Sequence, residues 1–315
     1  MISVKEAANI LNISPVRLKQ IIKEEKYEIQ RESNKYIKIP TATMKKIRTS
    51  RGLEVSSKIA SIAIEKGGVG KTILTLNTAA AAAKRGYRTC ILDLDPEACS
   101  TLFLAKDDTD FDKLGTILEV YSSDKNIIDF VTESRFDGID FLASKSKIRR
   151  TEKFISGKNP KNILKQKMQG LRDMYDLVLL DLPPSYLTLQ QTAYLSSDII
   201  IFPINNDVFC LDSLNLTLED IEETCEQFEA PMPPYKVLRN RYSKLRRNTR
   251  ETTTELMRDF GDKVLPFQIK NCAAIENSLN DGKMIFDVSG EADVKSAFED
   301  LLDCIIPHNS KELQQ

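Results

Sequence analysis

A chain of 315 residues, 41% hydrophobic and 29% charged, has enough apolar material for a sizeable core and a length prior of about two domains. Six scattered cysteines without a C-x-x-C pair (Cys90, Cys99, Cys210, Cys225, Cys272 and Cys304) and a single histidine, His308, exclude a disulfide or zinc framework and histidine-based catalysis. With no signal peptide and no apolar run of 18 residues, the expectation is a cytoplasmic protein that does not span a membrane. The net charge of −1 hides an asymmetry: residues 1–58 carry 13 Lys and Arg against 6 Asp and Glu, and the acidic excess lies in the rest. A small basic module ahead of a larger acidic one points to an N-terminal nucleic-acid contact, although charge alone also fits a merely solvated surface.

In chain order, Val4, Ala7, Ala8 and Leu11 recur at helical spacing. Asn12-Ile13 breaks the pattern, Ser14 suits an N-cap and Pro15 the first helical position. Leu18, Ile21 and Ile22 form the buried stripe of a second helix, whose other face carries Arg17, Gln20 and Lys23, side chains able to reach base edges in a major groove. "YEIQRESNKYIKIP" then alternates around a Glu-Ser-Asn turn as a β-hairpin does, with Arg31 and Lys35 on it. The segment resembles the winged helix-turn-helix of the MerR-like group, which implies double-stranded DNA as a partner, bound operator-specifically through residues 1–58 at an inverted repeat. A purely structural helical pair is the competing reading. "PTATMKKIRTSRGLEVSSK" is polar, basic and partly periodic, and reads as a short helix running into a linker, so the domains divide as 1–57 and 58–315.

From "KIASIAIE" onward the chain alternates strand and helix, the mark of an α/β fold with a parallel twisted sheet wrapped on both faces. Further strands are expected at 88–95, 175–183, 198–204, 235–240 and 263–269, separated by helices such as "ILTLNTAAAAAKRG" and "LDSLNLTLEDIEETCEQF". Ligands on such sheets bind at the carboxyl ends of the strands.

"IAIEKGGVGKTILT" (62–75) places a glycine-rich turn between a strand and a helix. Gly67, Gly68, Val69 and Gly70 offer backbone N–H groups to an anion, Lys71 can reach β- and γ-phosphates, and the Thr72 hydroxyl can ligate Mg²⁺. Glu65 stands where the general phosphate-loop pattern has its first glycine, so the match is to K-G-G-x-G-K-[ST], the deviant Walker A form. "DLDPEACST" (93–101) and "LVLLDLPPS" (177–185) follow in the order of a nucleotide-hydrolysing site.

With these motifs residues 58–300 resemble the ParA-type partition ATPases of the wider ParA/MinD group. The resemblance implies a P-loop NTPase that uses ATP and Mg²⁺, closes into a homodimer with ATP, binds DNA non-specifically through the ATPase domain and is stimulated by a ParB-like centromere-binding protein. It would be nucleoid-associated and would also repress its own operon. By the same resemblance Lys66 reaches across the dimer interface to the partner's phosphates, Asp95 orients the attacking water, and Asp93 and Asp181 support Mg²⁺ with Thr72. Ile73 and Glu97 replace the usual Thr and Gln, which leaves rate and nucleotide contacts open. Asn240 would approach the adenine and the Pro266-Phe267 region would close over it. Lys244, Arg246 and Arg247, in the acid-free run "YKVLRNRYSKLRRNTR", would hold DNA without reading it, and "SKSKIRRTEKF" would extend that surface. A Min-type regulator positioning division machinery or cargo, or a nucleotide-regulated repressor, is the alternative. The acidic tail interrupted by Pro307 argues against a membrane-lying helix, and a cluster-bridging iron protein would need cysteines that "DLPPSYLT" lacks.

Overall fold

A computed structural model describes residues 2–31, 37–155, 160–184, 188–207, 209–242 and 249–307. The first 50 residues build their own small core. Strand β1 (Ile2–Ser3) leads into helix α1 (Val4–Ile10), then helix α2 (Pro15–Glu24), strands β2 (Gln30–Arg31) and β3 (Ile37–Ile39), and helix α3 (Thr41–Ser50). The three strands form a sheet in the order β1-β3-β2, antiparallel throughout. Val4, Ala7, Ala8, Leu11, Leu18 and Ile22 are buried together with Ile39, Met44 and Ile47, as their spacing requires. Ser14 caps α2 by accepting from Arg17 N, and Pro15 opens it. Ser3 and Glu6 form a capping box on α1 that fixes its start.

After residues 51–57, which form no regular element, the chain enters an eight-stranded sheet. Its strands are β4 (Lys58–Ile62), β5 (Thr89–Asp93), β6 (Thr132–Glu133), β7 (Ile139–Leu142), β8 (Leu177–Asp181), β9 (Ile199–Ile204), β10 (Tyr235–Tyr242) and β11 (Val264–Lys270). They lie in the order β11-β10-β9-β4-β8-β5-β7-β6, parallel except for β6 at the edge. Alternate residues of each strand face opposite layers. Ile59, Cys90, Leu92, Val178 and Leu180 enter one core, and Ala60, Ile62, Ile91, Leu177 and Leu179 enter the other. A strand buried on both faces reads as a continuous apolar run, as these do. Helix α4 (Lys71–Lys84) and the helix Ala292–Ile305 cover the second layer, and the helix Phe209–Gln227 covers the first. Among the described residues no helix is long and apolar enough to cross a membrane.

The polar segment after Pro40 forms the short helix expected there and also docks on the large sheet. Helix α3 buries Thr41, Thr43 and Arg48 beside Met44 and Ile47. Thr41 donates through both N–H and Oγ1 to Asp137 Oδ2, at 3.0 and 2.8 Å. Lys45 Nζ reaches Met174 O and lies 3.5 Å from Asp176. Arg48, 5% exposed, donates to Gly86 O and Leu53 O and stacks 4.1 Å from the centroid of Tyr87. Burial lowers its pKa, an effect opposed by Tyr87 and Asp176. These contacts tie the first 50 residues to the large sheet. Asp137→Ala leaves both Thr41 donors without their acceptor, a loss of about 1 kcal/mol at a partly solvated joint. Proteolysis within 51–57 should accelerate severalfold while the main melting transition stays put. An unchanged cleavage rate would mean that this contact does not hold the joint.

Candidate functional site

The site lies where β4, β5 and β8 end. β4 runs out at Ile62, the loop 63–70 follows, and α4 begins at Lys71. Gly68 and Gly70 have φ of +74° and +87°, a backbone open to glycine and costly for other residues. Gly70 also has no space to spare: a Cβ there would stand 2.9 Å from Asn240 Nδ2. Its left-handed cap gives α4 no side-chain acceptor, so the first N–H groups of the helix face the loop as donors for an anion. Val69 is fully buried and anchors the loop, while Gly67 and Gly68 are exposed.

Lys71 is 8% exposed and folds over the loop, donating to Ile64 O at 3.2 Å and to Lys66 O at 2.9 Å. Burial lowers its pKa, and Asp181 and Asp95 act against that. Asp181, at the end of β8, accepts from Ser100 Oγ at 2.7 Å. Its other oxygen, Oδ1, is buried with no hydrogen-bond partner, although the Thr72 hydroxyl lies close enough to favour the ionised carboxylate. Asp93, at the end of β5, accepts from Thr101 N and Oγ1 at 2.8 and 2.7 Å, and from Asp95 N at 3.2 Å. Asp95 is half-buried and Glu97 exposed; Glu97 N donates to Asp95 Oδ1 at 2.9 Å. The loop, Lys71, Thr72, Asp93, Asp95 and Asp181 therefore converge. Ile73 is the third residue of α4 and packs against the second core layer.

Glu65 and Lys66 both find partners outside the loop. Glu65 N donates to Thr217 Oγ1 at 3.2 Å, and burial followed by Asp220 raises the Glu65 pKa. This backbone bond, which a glycine could also make, fastens the loop to the helix Phe209–Gln227, while Glu65 Oε1 is buried with no hydrogen-bond partner. Lys66 Nζ is 2.8 Å from Asp207 Oδ2 and 5.5 Å from the centroid of the Phe209 ring. In the single chain, then, Lys66 has an internal partner, which sequence reasoning missed because 141 positions separate the two. A partly exposed pair of this kind contributes about 0–1 kcal/mol, so exchanging it costs little.

Beside Gly70 lies a hollow of about 330 Å³ with open solvent included, lined by Ile73, Asn240, Arg241, Ile269, Cys272 and Glu276 among others. Asn240 is 4% exposed and donates through Nδ2 to Val69 O at 2.8 Å. Arg241 and Glu276 pair at 2.6 Å across the same hollow. Pro266 and Phe267, expected there, are not among its lining residues. They stand inside β11, and Lys270 at the strand end is four residues, about 13 Å, farther on. The contribution of β11 and its following loop comes from Ile269 to Cys272 instead.

The residues expected to meet DNA lie elsewhere. Arg17, Gln20 and Lys23 are exposed on α2, with Arg17 near Gln20 and Glu24, and Arg31 is exposed on β2. Lys35, Lys244, Arg246 and Arg247 fall outside the described residues. Lys145 is tied to Asp112 O and Leu114 O, while Lys147, Arg149, Arg150 and Lys153 are exposed.

Residues 57–232 match the family described as AAA domain. The chain belongs to the ParA/MinD-type AAA-domain P-loop ATPase family. Within that family it is 23% identical to the cell division protein PomZ of Myxococcus xanthus, over 77% of this chain and 76% of PomZ. It is 24% identical to the chromosome partitioning protein ParA of Caulobacter vibrioides, over 72% of this chain and 86% of that one. The ATP complex of a single-substitution variant of Cyanothece McdA has the same fold, with a TM-score of 0.70 and 19% identity, over 80% of this chain and 97% of that one. Among the described residues of this P-loop ATPase no three His, Cys, Asp or Glu side chains cluster as a metal site. A cation here would be shared with phosphate oxygens, and the donor set fits that: one hydroxyl, Thr72, beside the orphaned Asp181 Oδ1 and buried Asp93.

The two buried carboxylates predict a pH dependence. Burial, then the neighbouring Asp181, pushes Asp93 up to about 8, and burial pushes Asp181 up to about 6. Folded values above the unfolded ones favour the protonated forms. Their stabilising contribution is complete below about pH 4 and is lost as pH rises through 6 and 8. Without nucleotide or Mg²⁺, Asp93→Asn should therefore gain melting temperature relative to the parent between pH 5 and 8.5. A pH-independent difference between the two would contradict it.

Proposed function

We infer that the chain is an ATPase that couples ATP-driven pairing to DNA binding and thereby segregates or positions a DNA-linked cargo. The observation that carries this reading is the convergence of Lys71, Thr72, Asp93, Asp95 and Asp181 on an uncapped glycine loop at the carboxyl ends of three adjacent strands. Similarity to proteins named for chromosome partitioning and cell division supports the class of role.

The loop N–H groups from Gly67 to Ile73 and the Lys71 ammonium hold the β- and γ-phosphates. Thr72, with Asp181 and Asp93 behind it, holds Mg²⁺, which when bound neutralises phosphate charge. Asp95 positions the attacking water. The hollow between Asn240, Arg241 and Ile269–Cys272 takes the base. Two chains close face to face across their nucleotide sites, and Lys66 exchanges Asp207 for the partner's phosphates, where its charge stabilises phosphoryl transfer. Residues 1–57 act as a winged helix-turn-helix that reads duplex DNA and represses the chain's own operon. The basic run containing Lys244, Arg246 and Arg247 holds DNA without sequence preference, and a ParB-like protein stimulates turnover in the cytoplasm, at the nucleoid.

The test is turnover and nucleotide titration of the full chain with and without random duplex DNA. ATP hydrolysis should depend on Mg²⁺, and Lys71→Ala should lose ATP binding by at least about tenfold, having lost the charge-assisted contacts. ATP binding by Lys71→Ala equal to the parent's would contradict the assignment.

A further inference from the structure

Every polar contact described between helix α3 and the large sheet falls on residues that precede strands. Gly86 lies ahead of β5, Asp137 ahead of β7, and Met174 and Asp176 ahead of β8. The loop 63–70, Asp93 and Asp181 lie at the opposite ends of those strands or of their neighbour β4. The seat is shaped for this contact. Met44, fully buried, fills space left by Gly86, where a Cβ would stand 2.1 Å from Met44 Cγ. A Cβ on Gly138 would stand 2.6 Å from Thr41. Meanwhile Arg17, Gln20 and Lys23 on α2 remain exposed to solvent.

We propose that the first 50 residues form a fixed DNA-reading head at the pole opposite the nucleotide site, so that an ATP-closed dimer holds two separate duplexes, one at each far end. This rests on the ATP dimer and DNA contact of the preceding subsection and departs from the expectation of one inverted repeat. Lengths decide between them. A helix-turn-helix dimer on one operator needs its reading helices about 34–36 Å apart. A unit of about 250 residues has a radius of gyration near 18 Å and spans roughly 45 Å. Two such units stacked through their strand carboxyl ends place the two seats on the order of 80–90 Å apart. The α3 contacts with Asp137, Met174 and Gly86 and the close fit at Gly86 and Gly138 hold each head in its seat. With both heads seated, one dimer therefore cannot bring them onto half-sites one helical turn apart.

The probe is a duplex of about two helical turns carrying one sequence, selected from a random pool by the full chain at salt high enough to weaken phosphate-only contacts. Full-length Asp95→Ala with ATP and Mg²⁺ supplies the closed dimer, checked by light scattering. Mass photometry should show two duplexes per dimer, and a bead-tethered duplex should capture a second, labelled one only with protein and ATP. Joining two sites one turn apart should tighten binding no more than about twofold, the statistical gain of a second site. The same dimer carrying Arg17→Glu and Gln20→Glu should release both duplexes. Tenfold tighter binding to the one-turn inverted repeat, with one duplex per dimer, overturns the proposal. So does bridging that survives Arg17→Glu with Gln20→Glu, or a selection that enriches no sequence. Absence of an ATP dimer in light scattering overturns the proposed function itself, and this inference with it.

Discussion

Lys66→Ala should bind ATP within about twofold of the parent yet hydrolyse it on the order of 10³-fold more slowly, the low end of the effect of removing a cationic finger. Lys71, and not Lys66, folds its ammonium over the loop. The Lys66 side chain pairs with Asp207 instead, and its backbone carbonyl, which Lys71 uses, survives the substitution. The loop's own phosphate contacts are therefore intact in the variant, and only the charge offered to a second site is gone. Titration with a fluorescent ATP analogue and phosphate release measure the two quantities separately. Loss of nucleotide binding would mean that Lys66 serves its own loop.

Asp95→Ala should show the same split for a different reason. Turnover should fall about 10²- to 10⁴-fold, the range for removing a group that positions or accepts a proton in the transition state. ATP affinity should hold, because Lys71, Thr72 and the loop amides stay in place. The structural cost is small: Asp95 Oδ1 accepts only the Glu97 N–H at an exposed turn, while Asp93 carries the buried hydrogen bonds to Thr101. Rapid-quench measurement of single-turnover hydrolysis checks this, and equal rates for variant and parent would remove Asp95 from the chemistry. The two variants differ in one respect. Asp95→Ala should accumulate as an ATP-bound dimer, and light scattering reads that mass directly.

Much of this arrangement is legible in the sequence because short apolar runs ending in carboxylates are what parallel strands with functional ends look like. β4, β5 and β8 with Gly70, Asp93 and Asp181 are read that way, and β9 to β11 follow from similar runs. β7 escapes because Ile139–Leu142 is only four residues long, and β6 because two residues carry no period. The resemblance places the Pro266-Phe267 region over the base, whereas the hollow is lined by Ile269 to Cys272, and Pro266 belongs to the strand expected at 263–269. It sits inside β11, which has a partner on one side only and so tolerates a proline. Helix α3 is legible as a short helix, but its docking on the large sheet is not, because its buried positions include Thr41, Thr43 and Arg48. Their partners, among them Asp137, Gly86 and Tyr87, lie too far along the chain for local composition to reveal. For the same reason the pairing of Lys66 with Asp207, and of Glu65 with the helix Phe209–Gln227, could not be read from local pattern.

The central claim is that each active site is completed by the Lys66 of the opposite chain, and mixing the two inactive variants tests it most directly. In a mixed dimer, the Lys66→Ala chain keeps its own Asp95 and receives Lys66 from its Asp95→Ala partner, so one of the two sites is whole. In an equimolar mixture about half the dimers are mixed, and turnover per chain should recover to about a quarter of the parent's. If Lys66 acts within its own chain, neither site in any dimer is complete. Turnover of the mixture would then stay at the level of the separate variants.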